Sequence, residues 1–147
     1  MKNKVLFILF LSVTSFCFSQ QKVTWDDLSK VKFRDKYFPE HDETFLHPTF
    51  SESVKSLNGK SIAITGYFLN VDPKGRIFVL SKGPMSSCFF CGVGGPETAI
   101  ELHVVGKRNF RTDATVKAKG ILKLNSNDVE HFNYILTECR IELYNKK

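Results

Sequence analysis

Long apolar runs are scarce in this sequence. One uncharged, mostly apolar stretch spans Val5 to Phe18, and nothing after it approaches the roughly 20 residues needed to cross a bilayer. No helical membrane span is therefore expected beyond it. Cysteine is almost as sparse, at positions 17, 88, 91 and 139 only, which excludes a disulfide-dense scaffold. Missing as well are a GxGxxG or P-loop signature, a HExxH helix and a serine-nucleophile motif. Internal repeats and low-complexity tracts are absent too, and no active site can be assembled from the residues that remain.

What is present begins with a leader. Lys2 and Lys4 give a basic start, Val5 to Phe18 supply the apolar run, and Ser19 precedes the polar pair Gln20-Gln21. That order reads as a secretory signal peptide over residues 1–19, and hence as an exported, periplasmic or secreted protein. A lipoprotein cut before Cys17 would want a small residue where Phe16 stands. Cleavage after Ser19 removes Cys17 and leaves three cysteines, so at most one internal disulfide can form. Losing Lys2 and Lys4 lowers the formal charge from +6 to +4, too small a surplus for a nucleic-acid footprint. About 128 residues are left, enough for one domain.

Residues 20–57 read as an irregular N-terminal arm. Thr24 caps a helical turn through Trp25-Asp26-Asp27-Leu28, and Ser51 caps another that runs from Glu52 to Leu57 and closes at Asn58-Gly59. Between them aromatic residues from Phe33 to Phe50 alternate with Pro39 and Pro48 and are expected to pack on a larger body. That body covers residues 58–147. Strands are predicted over Ser61–Leu69, Arg76–Leu80, Thr98–Val105, Ala114–Leu124 and His131–Tyr144. Gly66 and Gly120 interrupt two of them, where a sheet can bend or carry a bulge. The fold class is mainly β. Segments NGKSIAITGYF, ATVKAKGILKL and NYILTECRIELY resemble the first and last two strands of the five-stranded oligonucleotide/oligosaccharide-binding (OB) barrel, with a β-sandwich as the alternative.

The chemistry concentrates in SCFFCGVGGPE, residues 87–97. A Cys-x-x-Cys-Gly turn sets Cys88 and Cys91 on one side of a tight loop, and thiolates bind zinc, but a closed zinc site needs four ligands and no second CxxC exists. If Ile100, Leu102 and Val104 face the core, Glu101 and His103 share the other face of their strand. His103 is then the natural third ligand and Glu101 or Glu97 the fourth. Two other readings stay open: a short-loop disulfide, and a thiol redox pair. Against the redox pair, glycines and a proline follow the motif where a thioredoxin-type site starts a helix. Cys139 lies in the row Ile135, Thr137, Cys139, Ile141, Leu143 and reads as a small buried hydrophobe. Of Phe89 and Phe90, one is expected to plug the barrel end. Lys117, Lys119 and Lys123 alternate along one strand as a solvated face or a polyanion track, and His41, His47 and His131 look scattered.

Trp25 to Leu28, Leu57 to Lys60 with Gly66-Tyr67, and Cys88 to Gly92 with Gly95-Pro96-Glu97 together resemble a group of small exported bacterial proteins of unassigned function. A wider family of exported domains, itself of unknown function, is similar in its Gly-Lys, Gly-Tyr and Phe-Leu plan, although its loop differs from the CxxC here. Some of its members are associated with metal-transport systems. The resemblance implies a metal role, and with it a metal ion, an envelope protein or a transporter as partner.

Overall fold

The computed structural model describes residues 20–72, 74, 77–88, 92–106 and 108–144. The leader over 1–19, Cys91, and the plug expected of Phe89 or Phe90 lie outside the described residues. In chain order the elements are β1 (Gln21–Lys22), α1 (Trp25–Leu28), β2 (Val31–Phe38), β3 (Glu43–Phe50), α2 (Glu52–Lys55), β4 (Ser61–Asn70), β5 (Phe78–Ser81), β6 (Ala99–Val104), β7 (Thr115–Leu124) and β8 (Tyr134–Leu143). Single 3-10 turns at Met85–Ser87 and Pro96–Thr98 fall in the connection between β5 and β6. No helix among the described residues is long and apolar enough to cross a membrane.

Five strands close into a mixed barrel in the order β4-β5-β6-β8-β7, with β7 returning to β4. All neighbours run antiparallel except β6 and β8, which are parallel. That is the OB-like arrangement expected from the strand pattern. Closure depends on β4, whose length lets it serve three partners. Ser61 to Tyr67 pair with β7, Tyr67 to Asn70 pair with β5, and the short β1 adds in parallel at Ile62 and Ala63.

Alternation fills the interior. Ile62, Ile64 and Phe68 of β4, Phe78 and Leu80 of β5, and Ile100, Leu102 and Val104 of β6 all belong to one buried cluster. The two short helices cap it. Thr24 accepts from the Asp27 amide while Asp27 bonds back to Thr24, a capping box, and the buried Leu28 and Val54 enter the same core. The Trp25 indole donates to the Thr65 carbonyl at 2.8 Å and lies over Gly66, where a Cβ would come within 2.9 Å of the ring and 2.6 Å of the Ser81 carbonyl oxygen. Only glycine leaves that space.

Gly120 has the same role at a bulge. Between Lys119 and Ile121 of β7 the partner residues on β8 jump from Arg140 to Thr137, and β6 sees the same extra residue between Leu136 and Cys139. Glu138 takes it up at φ 51°, and a Cβ on Gly120 would sit 2.5 Å from the Thr137 carbonyl oxygen. The bulge corrects the predicted inward row of β8. Tyr134 and Leu136 face inward before it, and Cys139 and Ile141 after it, so strict alternation from Ile135 does not hold. Cys139 is fully buried, and burial pushes its thiol up to about 12.

The arm departs further from expectation. Its aromatic stretch is a regular hairpin of β2 and β3, eight residues each, with Val31 opposite Phe50 and Phe38 opposite Glu43. It leans on the barrel through Phe50, whose ring meets Tyr134 edge to face at 5.5 Å, while the Tyr134 hydroxyl donates to the Leu28 carbonyl at 2.7 Å.

A carboxylate between two histidines

The inward residues of β6 push its alternate positions to the outer wall. There Ala99 and Glu101 are buried and His103 is exposed, the face on which Glu101 and His103 were expected to stand together. Glu101 is only 8% exposed, so its carboxylate needs partners. It has four contacts. His103 Nε2 lies 2.8 Å from Oε1, His131 Nδ1 lies 2.9 Å from Oε1 and 3.1 Å from Oε2, and the Phe132 backbone N–H donates to Oε2 at 3.1 Å. Burial works against ionisation, but the bonds from His103, the Phe132 amide and His131 outweigh it and hold Glu101 below the usual carboxylate range. The hydrogen bond to Glu101, and then its charge, raise His131.

His131 comes from a remote part of the chain. The parallel pairing of β6 and β8 sets Glu101 opposite Ile135, so the residues entering β8 arrive beside the carboxylate. Asn125 shapes that entry. Its side-chain amide donates to the carbonyls of Asp128, His131 and Phe132 at 2.7, 3.2 and 3.2 Å, and its Oδ1 accepts from the Asp128 amide at 3.0 Å. Asn125 is thus the bracket that presents His131.

Glu101, His103 and His131 each offer a ligand atom, and these atoms lie within 4.8 Å of one another. Metal–nitrogen and metal–oxygen bonds near 2.1 Å separate tetrahedral ligands by about 3.4 Å. The hydrogen bonds to Glu101 at 2.8 and 2.9 Å are shorter than that and the full spread of up to 4.8 Å is longer, so an ion would replace those hydrogen bonds and draw the three ligands to an even spacing. The group can hold a metal, and no cysteine among the described residues belongs to it.

Of the other residues predicted for the site, Cys88 and Glu97 are among the described residues and stand outside this group. Cys88 is 1% exposed and clusters with Leu69, Val79 and Ala99 on the outer wall, with Phe132 packed against them. Val79 is the cross-strand partner of Glu101, and Ala99 is two residues before it on the same face. Cys88 thus shares the wall with the carboxylate but stands in an apolar patch. It closes the 3-10 turn at Met85–Ser87 in extended backbone. Glu97 folds over Gly95, and its charge adds to burial in raising the Tyr134 hydroxyl. His131 also lines a cleft of about 440 Å³ between the hairpin and the β7–β8 connection, walled by Phe38, Phe45, Leu46, Pro96 and Val129.

Fold and site together define a class: a small OB-like barrel with a carboxylate–bis-histidine group on its outer wall. In comparison with known proteins, no family model, no curated protein and no solved structure matches the chain.

Proposed function

We propose that this chain is an exported binding protein that takes a divalent transition metal, zinc first, on Glu101, His103 and His131. The observation that carries the reading is the convergence of three ligand atoms from two separate segments within 4.8 Å. Two imidazoles and one carboxylate suit zinc, and three protein ligands leave a coordination position for water or a ligand. A closed structural site would use four. The open position favours metal handling, with a transporter or other envelope protein as the partner that delivers or receives the ion. The leader pattern over residues 1–19 supports export, and the resemblance to exported proteins of metal-transport systems points the same way.

The ligand set differs from a cysteine-led site by taking His131 where Cys88 was expected. Cys88 then packs the wall behind the site. Zinc titration of mature protein prepared without chelator, with metal content measured on the same sample, tests this. One zinc per chain is expected, lost in Glu101→Gln and in His131→Ala and kept in Cys88→Ser. Zinc that survives both site variants and disappears in Cys88→Ser would return the site to the cysteine loop, and no stoichiometric zinc in the unaltered protein would end the reading.

A further inference from the structure

The hairpin carries a second feature, independent of the metal group. β2 and β3 pair only with each other, so each has an outer edge. The phase of those edges follows from the ladder. The Ser51 amide donates to the Lys30 carbonyl at 3.1 Å, and the register places Lys30 opposite Ser51. Antiparallel pairs alternate between bonded and non-bonded. Lys32, Arg34, Lys36 and Phe38 therefore exchange bonds with β3, and the N–H and C=O groups of Phe33, Asp35 and Tyr37 point away from it. Among the described residues nothing bonds to those outward groups.

The two edges are not equivalent. Pro48, opposite Phe33, falls in the outward phase of β3 and removes a donor from that edge, a common protection against strand addition. β2 has no proline. Its edge is open over Phe33, Asp35 and Tyr37, and Tyr37 is 54% exposed.

Charge selects the occupant. A second copy of β2 adding antiparallel in the outward phase would set odd residues against odd and even against even, in any register. The even residues are Lys32, Arg34 and Lys36, so every such dimer that pairs this stretch with itself brings like charges directly opposite, which is destabilising. The same three residues are matched by a strand with acidic side chains at alternate positions. On the other face that strand meets Phe33 and Tyr37, which suit apolar side chains. We propose that the outer edge of β2 is a docking site for an extended partner segment in which acidic and apolar residues alternate, added as a third strand.

Two peptides of about ten residues serve as probes, one alternating Glu with Val and one alternating Lys with Val. Binding is followed by calorimetry, and site by amide hydrogen exchange. The Glu peptide should bind and slow exchange at Phe33, Asp35 and Tyr37, and the Lys peptide should not. Asp35→Pro copies on β2 what Pro48 does on β3, removing an outward donor and no ladder bond, and should abolish binding while β4–β8 amides keep their protection. Should that variant disturb the hairpin, Arg34→Glu with Lys36→Glu decides instead. It should weaken the Glu peptide by about tenfold or more and admit the Lys peptide. Equal binding of both peptides, binding that leaves the three β2 amides exchanging freely, or no binding of the Glu peptide would overturn the proposal. So would concentration-dependent protection of the same amides without peptide, which would give the edge to a second copy of the chain.

Discussion

The barrel and the hairpin are both built from paired strands, yet they solve the edge problem in opposite ways. In the barrel β7 returns to β4, so the ladder closes on itself and every strand is paired along both edges. The hairpin ends in two open edges, one blunted by proline and one guarded by basic side chains. Closure encloses a single core, to which β4 through β8 and the two helical caps all contribute. The hairpin has no enclosed interior and rests on the barrel at Phe50 and Tyr134. Closed sheet gives rigidity and a wall on which a carboxylate can be held between two histidines, whereas open sheet gives a surface that can accept another strand.

The sharpest way to break the contrast is to prevent closure. Gly120→Ala puts a methyl group 2.5 Å from the Thr137 carbonyl oxygen and 3.2 Å from the Cys139 Cα, both backbone atoms that cannot turn aside. Such overpacking should cost about 3 kcal/mol, read as a lower urea midpoint with an unchanged slope. The β2–β3 amides should exchange as before, because their ladder is separate from the barrel's. A loss below about 1 kcal/mol would mean that the Glu138 bulge yields and that closure is not rigid at this point.

A smaller cut falls on the joint between the two regions. Tyr134→Phe keeps the ring that meets Phe50 but deletes the hydroxyl that donates to Leu28. The buried carbonyl at the end of α1 loses its side-chain donor, a loss of about 1–2 kcal/mol. The expected signature is loosening of α1 with the Phe50 contact intact. Destabilisation of the hairpin alone would show that the hydroxyl, not the ring contact with Phe50, ties the regions together.

Local chemistry made the helical caps and the barrel strands legible. Thr24 before Trp25-Asp26-Asp27-Leu28 is a capping signal that owes nothing to tertiary context, and the inward row Ile100, Leu102, Val104 fixed the face of Glu101 and His103. Three things depended on distant pairing. The hairpin was hidden because Pro39 and Pro48 look like breakers, and Pro48 is harmless only in its outward phase. The bulge was hidden because a glutamate at positive φ has no sequence signature, although Gly120 across the ladder hinted at it. His131 was hidden because its partner is thirty residues away. The signal was within reach: an OB barrel pairs its third and fifth strands in parallel, which brings the residues entering β8 beside the start of β6.

The finest test asks how the barrel's outer wall tolerates a buried charge that the hairpin would leave to solvent. In metal-free protein Glu101 is held below its ordinary value of 4.5, so its contribution to stability is complete above that pH and fades as pH falls through the lower folded value. His131 is raised above 6.5, so its contribution is complete below that pH and fades as pH rises through the higher folded value. The two slopes have opposite signs and bound a shallow plateau between the carboxylate and imidazole ranges. His131 is about half exposed and solvent screens the pair, so the fall on the alkaline side should stay under about 1 kcal/mol. Glu101→Gln should flatten the slopes that arise from this pair, because it removes the charge that lifts His131 together with the carboxylate that titrates. Stability measured from pH 4 to pH 9 on both proteins decides it. An alkaline slope that persists undiminished in Glu101→Gln would assign the titration to a group other than His131 and would leave Glu101 as a brace between β6 and the entry to β8.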